Sequence, residues 1–384
     1  MTTGELPMSG TVRRNNAIDI LKGIGILLVI IGHTYGPLTS FIYLFHMPIF
    51  FMSAGYCFSY KYTDSFTSVS ILIKKRLKSL WLPYAIVNTI FILLNNIFLQ
   101  IGFYSTDERL LALHEFQWDQ VLGHYYSVKE SGSRIIHSLL FNQSTQLTGA
   151  TWFLEVLFFA AIGFAIIDCC VRKTVGAKHN KVRIMIHFLI AILCLIIGSL
   201  KYKYPILGKY RLATILIVLV IFEMGLVLKQ LESKISLSRI QWLLISLSSG
   251  AILIGLNGYG HVELSSHDYS SIVFLLTSSI LGWLLVYGIS YAIAQNDNIV
   301  NRVLCFYGQN TLPILLLHLV FFKPVTAYII STRGLPNYLL ASFPVLTTEH
   351  GSWIAYAIVN IALCTVMIFI WSWIKGMVKK WKKY

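Results

Sequence analysis

The residues able to do chemistry in this chain are ionisable groups set inside apolar runs. The first run reads Asp19-Ile-Leu-Lys22-Gly-Ile-Gly-Ile-Leu-Leu-Val-Ile-Ile-Gly-His33. Asp19 and Lys22 are three residues apart, on one face of a helix, where they can pair. His33 follows Lys22 by eleven residues, a rise of about 16 Å along a helix. One helix thus carries a cation towards one end and an imidazole towards the other. The next run holds His46 in Phe45-His-Met-Pro48-Ile-Phe-Phe51, and antiparallel geometry brings it near the depth of His33. Pro48 would open the local backbone ladder, which is tolerated where a helix lines a cavity. A further run opens with Thr151-Trp152-Phe-Leu-Glu155.

An imidazole in such a place suits a general base or a transient acyl carrier. Glu155 or His46 would orient it and hold its tautomer. Trp152 suits an interfacial anchor or a platform for a sugar ring. Glu223 and His318, in later runs, fit packing roles as readily as chemical ones. The basic stretch Lys74-Lys75-Arg76-Leu-Lys78 precedes Pro83-Tyr84. It reads either as a contact with lipid headgroups or as a phosphate clamp. No histidine or carboxylate set has metal-ligand spacing, so no metal is expected.

The elements that must position these groups follow from composition. Of 384 residues, 56% are hydrophobic and only 12% are charged, with a mean hydropathy of +0.69. A soluble domain carries about 25% charged residues, so too little charge is present to cover a water-facing surface. The expected fold is an all-α integral membrane bundle. Ten spans are expected, near 18–35, 41–60, 81–103, 149–170, 183–200, 211–229, 240–257, 270–294, 310–331 and 352–378. The net charge of +15 sits in short clusters between apolar runs. That pattern marks cytoplasmic loops and excludes a nucleic-acid reader.

Placing the N-terminal segment 1–17 and the basic tail 379–384 in the cytoplasm puts most lysines and arginines inside. One loop breaks this rule, because Lys201, Lys203, Lys209 and Arg211 fall outside: either the span boundaries there are misplaced, or an outer basic patch faces an anionic lipid or glycan. The outer connection 104–148 is too long for a simple turn. Its aromatic and acidic residues, among them Trp118, would suit a sugar or an interfacial anchor. The first apolar run lacks a small-residue cleavage site and reads as a retained helix. Cys57, Cys169, Cys170, Cys194, Cys305 and Cys364 form neither a disulfide framework nor a metal motif and read as packing residues.

Taken in order, these motifs resemble the acyltransferase-3 family of multi-pass membrane O-acyltransferases, and more closely its fucose-4-O-acetylase-like, nodulation-type branch. The matching segments are Ile18-Asp19-Ile-Leu-Lys22-Gly23 through Gly32-His33 and Phe45-His46-Met-Pro48-Ile-Phe-Phe51 through Gly55. Lys75-Arg76 before Pro83-Tyr84, Trp152-Phe-Leu, and Gly308-Gln-Asn-Thr311 leading to His318 continue the match. The resemblance implies a single membrane domain in the plasma (inner) membrane of a bacterium. It implies acetyl-CoA as a cytoplasmic co-substrate, no tightly bound cofactor, and a hydroxyl of a surface or lipid-linked glycan as acceptor.

The family's Arg-x10-His pattern carries onto Lys22 and His33. Lysine in place of arginine there removes bidentate phosphate contact. Lys78 would substitute for a family basic position occupied by Ser79. Under this reading His33 does the chemistry, assisted by Glu155 and His46. Lys22, Asp19, Lys74, Lys75, Arg76 and Lys78 form the donor site, and Trp152, Trp118 and His318 contact the acceptor. The rival from another class is a proton-coupled transporter or flippase of a glycan or small anion, which also needs buried His, Glu and Lys.

Overall fold

The computed structural model describes residues 15–112, 120–142, 144–176, 179–200 and 204–381. Trp118, Lys201 and Lys203 lie outside the described residues. Helices account for nearly all the regular structure. The first are α1 (Asn16–Gly32), α2 (Thr39–Tyr43), α3 (His46–Tyr56), α4 (Phe66–Arg76), α5 (Leu82–Leu93), α6 (Asn95–Gln100) and α7 (Val128–Leu139). The middle of the chain forms α8 (Trp152–Val175), α9 (Asn180–Ser199), α10 (Pro205–Gly208), α11 (Leu212–Glu232) and α12 (Arg239–Leu256). A two-stranded hairpin, β1 (Val262–Glu263) and β2 (Asp268–Tyr269), precedes α13 (Ile272–Ala294). The chain closes with α14 (Ile299–Gln309), α15 (Thr311–Leu317), α16 (Lys323–Arg333) and α17 (Ser352–Trp381).

Each of the ten expected spans falls on helix, but not all are single long helices. Six are long and apolar enough to cross a membrane, and α15 with α16 makes a seventh candidate bent by 65°. The first three differ. Helix α1 has 17 residues. The second run breaks at Leu44–Phe45, where Phe45 leaves helical geometry at φ −147°. Pro48 therefore lies in the first turn of α3, where its missing N–H costs nothing. The third run breaks at Leu94, between α5 and α6.

Local chemistry explains the ends. Asn15 caps α1 by accepting from the backbone N–H of Ala17 and Ile18, and Ser238 with Gln241 forms a reciprocal cap on α12. Between α4 and α5 the helix widens into a π turn at Leu77–Trp81. Pro83, two residues further on, cannot donate to the ladder and crowds the carbonyl four residues back.

Close helix contacts depend on glycine. A Cβ on Gly55 would meet the carbonyl oxygen of Phe222 at 1.8 Å, and one on Gly225 would meet that of Met52 at 2.0 Å. Helices α3 and α11 therefore cross backbone to backbone, as small residues permit in a bilayer. Gly23 and Gly308 do the same for α1 and α14, with Cβ approaches of 2.1 Å to Leu304 O and 1.8 Å to Asp19 O. The result locks α1, the helix of Lys22 and His33, against its neighbours.

The segment after α16 is tucked into the protein. Buried Lys323 donates to the carbonyls of Leu340 and Ser342 at 2.9 Å each. Gln120 exchanges two hydrogen bonds with the backbone of Phe343, at 2.8 and 3.0 Å.

Candidate active site

His33 is the C-cap of α1, where the apolar run gives way to Thr34-Tyr35-Gly36. Its Nδ1 lies 2.8 Å from the carbonyl of Val29, one turn back on the same helix. A carbonyl only accepts, so Nδ1 carries the proton and Nε2 is the basic nitrogen. His46 is anchored in the same way, with Nδ1 3.1 Å from the carbonyl of Ile42. So is His318, 3.0 Å from the carbonyls of Ile314 and Leu315. The backbone, not a carboxylate, sets the tautomer of all three rings.

These rings come from α1, α3 and the end of α15, the last far along the chain from the other two. The centroids of His33 and His318 are 5.1 Å apart, edge to face. Tyr43 bridges the other side, 6.2 Å from His33 and 4.7 Å from His46. His318 sits at the bend between α15 and α16, and its Nε2 is buried with no hydrogen-bond partner among the described residues. No cluster suited to a metal ion occurs among those residues.

His33, His46, Tyr43, Trp152 and Glu263 line a cavity of about 20 Å³, room for roughly one water molecule. Trp152 and Ser265 also line a larger polar vestibule of about 540 Å³ beside it. Glu155, one turn along α8 from Trp152, faces this vestibule. Its Oε2 pairs with Arg211 Nε at 3.5 Å, while Oε1 is buried without a hydrogen-bond partner among the described residues. Arg211 also donates to the carbonyl of Ser265 and lies over the Trp152 ring, 5.9 Å from its centroid.

Tyr210 and Arg211 adopt left-handed backbone at φ 52° and 50°, which costs about 1–2 kcal/mol per residue. That turn aims the guanidinium into the vestibule. Of the basic loop expected to face an outside anion, Arg211 instead meets Glu155.

One functional candidate escaped the sequence and another was given a different partner. Glu263 belongs to the hairpin, in a segment that reads as an ordinary loop. Burial raises the affinity of its carboxyl for a proton, partly offset by hydrogen bonds from Ser265. Arg211 did leave a signal, as a positive charge on the wrong side.

The opposite end of α1 carries the other group. Asp19 is buried and its Oδ2 accepts from Gln309 Nε2 at 3.2 Å. Lys22 is half-buried. Lys74, Lys75 and Lys78 are exposed on the α4–π-turn segment, and Lys75 Nζ donates to Tyr62 Oη at 2.7 Å. Arg76 turns inward, with Nε buried and unpartnered among the described residues. Trp118, expected to contact the acceptor, lies outside the described residues.

Residues 15–374 match the acyltransferase-3 family as an acyltransferase domain. The chain belongs to the acyltransferase-3 family. No curated protein and no solved structure matches it closely enough for comparison. As a membrane acyltransferase of this family, the chain needs a nucleophile or base within reach of an acyl carbonyl. The anchored histidines beside the small cavity can supply one.

A separate cavity of about 820 Å³ lies by α8, α9 and α11. Asp168 there accepts from Arg172, Arg183 and His187 at 2.7–3.1 Å, and His187 Nδ1 lies 2.8 Å from Glu223. Glu223 is thus absorbed in a charge network. With its carboxylates and cations facing one another, this network reads as a fastening of three helices.

Proposed function

We propose that this acyltransferase moves an acetyl group from cytoplasmic acetyl-CoA to a hydroxyl of a surface or lipid-linked glycan. The chain spans the plasma membrane ten times as one domain, with both termini inside. On this reading it falls in the fucose-4-O-acetylase-like branch of the family. The observation that carries this reading is His33: a ring whose Nδ1 is fixed by Val29 O and which lines a one-water cavity next to a polar vestibule.

The donor's phosphates rest on Lys22, Lys74, Lys75, Arg76 and Lys78, with Asp19 holding the N-terminal part of α1. The inward Nε of Arg76 is the donor atom best placed to gain from an anionic partner. The pantetheine arm follows α1 over the roughly 16 Å between Lys22 and His33, bringing the thioester to the small cavity.

The acceptor sugar enters the vestibule, with Trp152 as its platform. His33 Nε2 takes the proton from the acceptor hydroxyl as its oxygen attacks the thioester carbonyl. The carbon–sulfur bond then breaks, and the leaving thiolate receives that proton. In the covalent variant, Nε2 attacks the thioester carbonyl and expels the thiolate; the acceptor hydroxyl then attacks the acetyl-imidazole, frees the ring, and passes its proton to that thiolate. His318 packs against the ring on one side, and Tyr43, itself packed on His46, on the other. Glu155 acts on the vestibule through Arg211.

Transfer of labelled acetyl from acetyl-CoA to a membrane glycan fraction, by purified protein in detergent, tests the reading. Labelled ester on the glycan supports it. A well-folded protein that binds no acetyl-CoA contradicts it and favours transport, since a transporter has no reason to hold a coenzyme.

A further inference from the structure

Glu263 is a half-buried acid with no task in the scheme above. No spanning helix carries it; the hairpin between α12 and α13 brings it to the cavity of His33, His46 and Trp152. One oxygen is committed. Oε1 accepts from the backbone N–H of Ser265 at 2.9 Å and from its hydroxyl at 2.5 Å, which fixes the direction of the carboxyl. Among the described residues Oε2 accepts no hydrogen bond, and no cation pairs with the group within ion-pair distance. Arg211, the nearest basic residue in the vestibule, spends its bonds on Glu155 and on the carbonyl of Ser265. The hairpin therefore sets a carboxyl acceptor beside the base, with Oε2 accepting no hydrogen bond among the described residues.

A carboxyl held in one direction beside the base, with one oxygen open, is set to accept a hydrogen bond from a ligand. The ligand group must be a neutral donor, because a cation would have to enter past Arg211. It must also be small, because the cavity has room for about one water. A sugar that offers one hydroxyl to His33 carries another on the adjacent carbon, and that hydroxyl meets both conditions. We propose that Glu263 Oε2 accepts a hydrogen bond from a second acceptor hydroxyl, next to the one acylated, so that the enzyme selects a vicinal diol. The inference rests on the acyl-transfer reading and adds the chemical class of its acceptor. A site built to bond a hydroxyl rejects the analogue lacking it far more strongly than an apolar pocket rejects a methylene.

The test is a cycle between protein and acceptor. Purified wild type, Glu263→Gln and Ser265→Ala are given acetyl-CoA with methyl hexopyranosides and their monodeoxy analogues, and kcat/KM for ester formation is measured. Acetyl-CoA affinity of each variant reports whether it is folded. Wild type is expected to lose at least about tenfold when the hydroxyl beside the acylated one is removed. Glu263→Gln should acylate parent and deoxy sugar at similarly low rates. Ser265→Ala, which loosens the turn but keeps the carboxyl, should still prefer the parent.

Undiminished preference for the parent in Glu263→Gln would overturn the inference. So would a loss of preference in Ser265→Ala equal to that in Glu263→Gln, since the glutamate would then serve only its turn. Absence of acetyl-CoA binding by wild type is a separate result, and it removes the acyl-transfer reading beneath the inference.

Discussion

The imidazole of His318 meets that of His33 edge to face, with ring centroids 5.1 Å apart and planes at 69°. The two residues are separated by most of the chain, and only the bend between α15 and α16 brings them together. His318 Nε2 is buried without a hydrogen-bond partner among the described residues. Replacing such a nitrogen with carbon is neutral or stabilising, because an uncompensated polar atom is removed. His318→Phe is therefore expected to unfold at the same or a higher temperature. If the nitrogen serves the reaction, kcat falls about 10- to 100-fold with acetyl-CoA affinity unchanged. A variant that is equally stable and equally active would reduce His318 to packing.

Arg211 and Glu155 form a partly exposed pair across the vestibule. Removing one partner of a buried pair costs about 3–5 kcal/mol. The Arg211 side chain is 36% exposed, so solvent screening lowers the expected cost of Arg211→Met to about 1–3 kcal/mol. Adding Glu155→Gln should restore much of that stability. Additive losses in the double variant, read from thermal unfolding, would show that the two do not interact.

Glu263 gives a pH dependence with a definite sign. Burial raises its proton affinity above the ordinary value of 4.5, so the folded chain holds this proton more tightly than the unfolded one. The stability that this contributes is complete below about pH 4.5 and is lost as pH rises through the raised value. Relative to Glu263→Gln, wild type should thus become less stable as pH increases across that window. A constant offset in melting temperature from pH 4 to roughly pH 8 would contradict it.

The crossing of α3 and α11 leaves no room for a methyl group. Gly55→Ala or Gly225→Ala places Cβ about 2 Å from a backbone carbonyl, and the helices must separate. Overpacking costs about 1–3 kcal/mol where side chains can yield, and more where backbone must move. Each variant should lose at least about 3 kcal/mol of stability and accumulate poorly. Wild-type unfolding in either one would show that the helices shift freely.

The sequence disclosed the candidate site unevenly, and the reason is local. His33, His46, Glu155 and Lys22 stand out because a polar group in an apolar run is expensive. Their helices follow from hydropathy. The breaks near Phe45, Leu94 and His318 do not, since hydropathy records length and not backbone geometry. The tautomer of His33 was also hidden: its partner is the carbonyl of Val29, and every residue has one. Glu263 is illegible for a different reason. A carboxylate in a loop looks solvated until the hairpin is seen to carry it beside His33. Arg211 shows that an exception to a charge rule can itself be informative, here by pointing to Glu155.

The most direct measurement separates donor binding from turnover. Acetyl-CoA affinity and the rate of acetyl transfer would be measured for purified wild type, His33→Ala and Arg76→Ala. With Val29 O fixing its Nδ1, the proposed scheme makes His33 Nε2 the reacting nitrogen. His33→Ala should therefore bind acetyl-CoA normally and lose transfer by about 10²- to 10⁴-fold. Arg76→Ala should bind acetyl-CoA more weakly. Transfer at the wild-type rate by a folded His33→Ala would contradict the assignment of His33 as the reacting residue.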